Sequence, residues 1–157
     1  MPPMPSCWVS MDRMSRVARS IDIAASPDAV WTVLADVEHW PRWASQFERL
    51  ERLEASPLAM GSTVRCKTTD RQATSDWTVT EYADGRSFTW TSALAPGLRV
   101  TGGHVVAAKG DGAKAEFWLE ATGVLGALLA PLLRRRIFSR NITSAAEGLK
   151  QFMEASR

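Results

Sequence analysis

His104 is the side chain of this sequence most suited to moving a proton. It alternates in step with Val106 along an expected strand over residues 98–108, and the apolar face of that strand turns inward. An imidazole titrates near working pH and can give or take a proton beside a carbonyl. It has no sequence-visible partner, so a hydrogen-bonded core histidine is the plainer reading. Tyr82 is a second, weaker candidate because it falls near a strand end. Cys66 sits mid-strand among apolar neighbours, where a thiol stays protonated and inert. His39, between Glu38 and Trp40, reads as an exposed or packing residue. Two histidines on different elements and two isolated cysteines, Cys7 and Cys66, do not converge as metal ligands. No metal and no cofactor is expected. Gly102-Gly103 and Gly110/Gly112 belong to strand and hairpin settings, with no phosphate loop. Asn141-Ile142-Thr143 matches a glycosylation sequon by chance, since Ile142 falls on an apolar helical stripe.

Arg134-Arg135-Arg136 leaves three readings open. If one helix runs unbroken from 128 to 152, Arg135 projects with Phe138 and Ile142 and could pair with a carboxylate or phenolate ligand head. If Pro131 breaks the helix, residues 125–133 form a separate cap and the arginines are solvated. The run could also draw the protein to an anionic membrane from which an apolar ligand is collected, a transient surface contact.

These side chains need elements to carry them. The chain has 157 residues, 45% apolar and 23% charged, which suits one globular domain with a real core. A formal charge of +2 gives no case for nucleic acid. No apolar run is long enough to span a bilayer. Residues 1–15, with four methionines and three prolines, read as a flexible tail, and translation could begin at Met11 or Met14. With two unpaired cysteines and no signal-peptide core, the expected location is the cytoplasm. Residues 16–24 alternate as a strand. Ser26-Pro27-Asp28 then supplies a cap, a first-turn proline and an acid for a helix ending near Asp36. A second short helix is expected after Pro41, with Trp40 and Trp43 packed inward. Six strands follow, over 47–53, 61–69, 75–82, 86–90, 98–108 and 113–121, with a bend or bulge at Gly102-Gly103. From Phe138 the apolar residues Ile142, Ala145, Ala146, Leu149, Phe152 and Met153 keep one helical face.

The order β-α-α-β6-α, together with Ser26-Pro27-Asp28-Ala29-Val30-Trp31, Asp36, Trp40-Pro41-Arg42-Trp43, Gly61, the Trp77 to Tyr82 strand and Arg86 to Trp90, resembles the START-like (SRPBCC) proteins of the polyketide cyclase/dehydrase type. The resemblance covers about residues 16–155. It implies an α+β helix-grip (START/Bet v 1-like) fold: a curved antiparallel seven-stranded sheet wrapped around a long C-terminal helix, with an apolar cavity between them. It also implies lipid, hormone or aromatic carriers, and in a minority polyketide cyclisation or dehydration.

If the apolar positions face that cavity, its lining comprises Trp43, Val64, Cys66, Trp77, Val79, Phe88, Trp90, His104, Val106, Phe117 and Leu119. The last helix adds Phe138, Ile142, Ala145 and Leu149, with Arg135 at one end. Most of these also serve as ordinary core. Seven tryptophans favour a pocket, because large rings are hard to pack solidly. The first expectation is therefore a monomer or homodimer that binds or carries a small hydrophobic ligand, testable by a cavity of at least ~300 Å³. The alternative is a polyketide cyclase or aromatase with His104 as proton shuttle. A protein-interaction module working through the outer sheet face (Arg65, Lys67, Thr69, Thr78, Thr80 and Thr89) ranks last.

Overall fold

The computed structural model describes residues 16–155. The tail expected over 1–15, with Cys7, lies outside them. Strand β1 (Val17–Ile23) leads to helix α1 (Pro27–Ala35) and a 3-10 helix (Val37–Arg42). Six strands follow: β2 (Phe47–Arg52), β3 (Thr63–Thr68), β4 (Ser75–Ala83), β5 (Ser87–Ala95), β6 (Leu98–Lys109) and β7 (Gly112–Thr122). The chain ends in α2 (Val124–Leu132), a π-helical turn (Leu133–Phe138) and α3 (Ser139–Ala155). All neighbouring strands are antiparallel, in the order β1-β7-β6-β5-β4-β3-β2. This is the helix-grip arrangement.

Local chemistry explains the first helix. Ser26 is extended, and its Oγ accepts from the Ala29 N–H at 3.2 Å, while Pro27 occupies the first turn. The second helix differs from expectation. It starts at Val37 and carries Pro41 inside it, so the proline falls near its end rather than ahead of it. Trp40 and Trp43 are buried as expected, and Trp40 Nε1 donates to the Leu34 carbonyl at 2.9 Å.

Gly102-Gly103 is no bulge. The pairing of β6 with both neighbours runs through these glycines without a shift in register. They make room for rings instead. A Cβ on Gly103 would lie 1.9 Å from the Trp118 indole on the outer face, and one on Gly102 3.1 Å from Trp90 Nε1 on the inner face. The register shifts fall at 47/49, 79/81 and 93/95.

The C-terminal helix resolves the question posed by Pro131. Backbone angles remain right-handed helical through Leu132, Leu133 and Ser139, so the proline does not end the helix. The turn after it widens to π geometry over Leu133–Phe138, a single π turn within a continuing helix. Beyond that turn α3 buries Ile142, Ala145, Ala146, Leu149 and Met153. At about 1.5–3 kcal/mol for each large side chain, this stripe holds the helix in the grip of the sheet.

Candidate functional site

The concave face of the sheet is solid at one end and hollow at the other. At the solid end α1 and the 3-10 helix act as a plug. Trp31 packs edge-on against Phe88 and Tyr82, with centroids 6.2 and 5.9 Å away. Val64, Val79, Phe88, Val106 and Leu149 are buried in the main apolar cluster and lie outside the wall of the cavity described next. They are core.

The hollow end encloses a cavity of about 170 Å³. Its wall includes Cys66, Trp77, Trp90, His104, Phe117, Leu119, Phe138, Ile142 and Ala145 from the expected lining. Trp40, Gln46, Phe47, Thr68, Ser75, Leu94, Val100 and Asn141 join them. Of these additions, the Trp40-Pro41-Arg42-Trp43 cluster flagged Trp40, whereas Gln46 and Asn141 carried no sequence signal. Asp70 and Arg71 of the β3–β4 loop and Ile137 of the π turn are exposed and also line the cavity, which marks its open side. Its volume falls below the ~300 Å³ expected of a ligand pocket. It is close to the ~150 Å³ that an engineered apolar cavity needs to hold benzene. In this conformation the space fits one ring.

His104 lies in an aromatic cage. Its ring stacks on Phe88 at 4.3 Å and 20°, meets Trp90 and Phe117 edge-on, and tilts against Trp40. Nδ1 is 3.3 Å from the Phe88 carbonyl oxygen. A carbonyl only accepts, so Nδ1 carries the hydrogen and Nε2 is left as an acceptor. Burial pushes the imidazole down to about 3, and the Phe88 carbonyl offsets only part of that. Neutral His104 is therefore an acceptor on the cavity wall. Gln46 supplies a second one: its Nε2 donates to the Asn141 carbonyl at 3.3 Å, which leaves Oε1 buried without a partner.

The other candidates stand elsewhere. Tyr82 is half-buried at the end of β4, outside the cavity wall, and its hydroxyl donates to Asp84 Oδ1 at 3.1 Å. Burial raises its pKa, with Asp84 adding to the effect. Trp43 is buried against Trp40 and Phe117 but does not line the cavity. Arg135 does not reach the interior. It is exposed, in an outward groove with Arg136, Ser139, Arg140 and Thr143, because the π turn shifts the helical phase that had aligned it with Phe138. Burial pushes the Cys66 thiol up to about 12, which keeps it protonated. Among the described residues no cluster of His, Cys, Asp or Glu could hold a metal ion.

A grip of sheet around helix with an aromatic cavity between them defines a START/Bet v 1-like ligand-binding domain. The chain belongs to the polyketide cyclase / dehydrase and lipid transport family, which matches residues 14–154. It is similar to the di-domain ARO/CYC StfQ of the steffimycin biosynthetic pathway at 19% identity and a TM-score of 0.75, covering 94% of this chain and 54% of that one. It thus spans about half the length of that protein. A START superfamily protein from Mycobacterium smegmatis superposes with a TM-score of 0.70 at 16% identity, over 90% of this chain and 99% of that one. Ara h 8.0201 does so with a TM-score of 0.69 at 10% identity, over 89% and 97%. At these identities the likeness is one of fold. No curated protein matches the chain.

Proposed function

We propose that this protein binds a small, neutral, planar hydrophobic molecule whose ring carries an O–H or N–H donor. The observation that carries the reading is two acceptors in the wall of an aromatic cavity sized for one ring: His104 Nε2, left as an acceptor by the Nδ1 contact to Phe88, and Gln46 Oε1, buried without a partner. Burying the ring supplies the affinity, and the donor relieves acceptors that are costly to leave unmet. A larger aromatic or polyketide-like ligand would place one ring inside and leave through the mouth beside Ile137. With Arg135 outside, the charged residues of the site are Asp70 and Arg71 at its opening, and the interior offers acceptors rather than a cation for a carboxylate.

The cyclase or aromatase alternative asks His104 to shuttle a proton. An imidazole held near 3 is a poor base at neutral pH, so binding is the stronger reading.

Ligand-observed NMR with phenol, anisole and benzoate tests the proposal on the full chain. Phenol should bind about tenfold more tightly than anisole, since an unmet acceptor costs roughly 1–3 kcal/mol. His104→Phe should narrow that preference while anisole binding persists. Equal affinity for phenol and anisole, or tighter binding of benzoate, would sink it.

A further inference from the structure

Helix α2 reads Val-Leu-Gly-Ala-Leu-Leu-Ala-Pro-Leu, without one polar side chain, yet it buries only Gly126. Val124, Leu128 and Leu132, each one turn further along, are 78%, 74% and 51% exposed. Ile137 continues the series after five residues rather than four, in the widened π turn, and is 43% exposed. Apart from Leu53 and Met60, these are all the exposed large hydrophobics among the described residues. An apolar surface of this kind signals a partner.

The flanking charge says which one. Between Glu120 and Glu147 the chain carries no acidic residue and four arginines. Arg135, Arg136 and Arg140 share one outward groove directly after the stripe. Glu147, the acid of that groove, is engaged by Arg19 at 3.4 Å. Apolar side chains beside a dense run of guanidinium groups suit an interface of acyl chains and anionic headgroups. A second copy fits less well, because a two-fold contact through this face would bring arginines together. The stripe ends at Ile137, which also lines the cavity mouth.

We infer that the exposed face of α2 and the arginines after it dock the protein on an anionic lipid bilayer, with the cavity mouth beside the membrane surface. Contact is peripheral, since no helix among the described residues is long and apolar enough to cross a membrane. Docking does not depend on what fills the cavity.

Flotation of the full chain with phosphatidylcholine vesicles, with and without 30% phosphatidylglycerol, tests this at low and high salt. The bound fraction should rise at least fivefold with the anionic lipid and fall at 0.5 M salt, where surface charge is screened. Leu128→Ser/Leu132→Ser and Arg135→Gln/Arg136→Gln/Arg140→Gln should each lower it at least fivefold. The two leucines and the three arginines are all exposed, and an unchanged melting temperature verifies that each variant folds. No binding to either vesicle, equal binding to both, or indifference to both variants would overturn the inference. So would light scattering that shows a dimer which Leu128→Ser/Leu132→Ser converts to monomer.

Discussion

His104 shows how one buried group ties the site to the stability of the fold. Its pKa is lowered to about 3 in the folded chain, against about 6.5 when unfolded. Below pH 6.5 the unfolded state therefore takes up a proton that the folded state refuses. Stability is complete above that pH and drains away as pH falls toward 3, at up to about 1.4 kcal/mol per pH unit. Urea titrations at pH 6 and pH 4 should show the native chain losing about 2 kcal/mol more than His104→Gln. Identical losses would mean that His104 is protonated inside the fold, and the acceptor role of Nε2 would go with it. The same burial that weakens the imidazole as a base makes it a directional acceptor, so one physical cause sets both its stability cost and its chemistry.

Among the elements, α3 is held by more than its apolar stripe. A Cβ on Gly148 would lie 1.9 Å from the Trp43 carbonyl oxygen, so the helix rests directly on the backbone beside the aromatic cluster. Gly148→Ala should gain about 1 kcal/mol of helix propensity and lose more through the clash. We expect a net destabilisation of about 1–3 kcal/mol by chemical denaturation, where propensity alone predicts the opposite sign. The π turn at the other end of α3 has a different effect. By shifting the helical phase it keeps Phe138 in the cavity wall while turning Arg135 outward.

Across the whole molecule the division between a filled end and a hollow end governs how the core tolerates change. Ala145 and Leu149 lie one turn apart on the same stripe of α3, the first on the cavity wall and the second in solid packing. Leu149→Ala should cost about 2–5 kcal/mol, the range for large-to-small changes in a close-packed core. Ala145→Leu should cost less than about 1 kcal/mol because its added carbons enter open space, and it should block phenol binding. Equal losses for the two variants, measured by urea denaturation, would argue against a hollow end. The outer face of the sheet reads as solvated structure, with Arg65 on Asp76 at 2.9 Å and Lys67 on Glu48 at 3.2 Å. The exposed apolar surface is on α2 instead.

Period and punctuation carried most of the architecture. Alternation in β3 to β7, the Ser26-Pro27 helix start, the two-residue turns at Pro96-Gly97 and Gly110-Asp111 and the apolar stripe of α3 are local signals. Each is written within a few consecutive residues, and together they specify the helix grip. Inward parity could also be read, and it put His104, Trp90 and Phe117 on the correct face. Which inward residues meet open space was not legible, because a cavity is whatever the other elements leave unfilled. Val64 and Cys66 share parity on one strand and both are buried, yet only Cys66 borders the cavity. Of the readings open for Arg135, the inward anchor fails and the solvated one holds, because the widened turn after Pro131 changes its phase relative to Phe138 without ending the helix. Gly102-Gly103 looked like a bulge because sequence does not reveal the Trp90 and Trp118 rings that cross it. Local composition determined which elements form and which faces they bury, while the long-range fit of rings, turns and backbone decided where the hollow lies and what points into it.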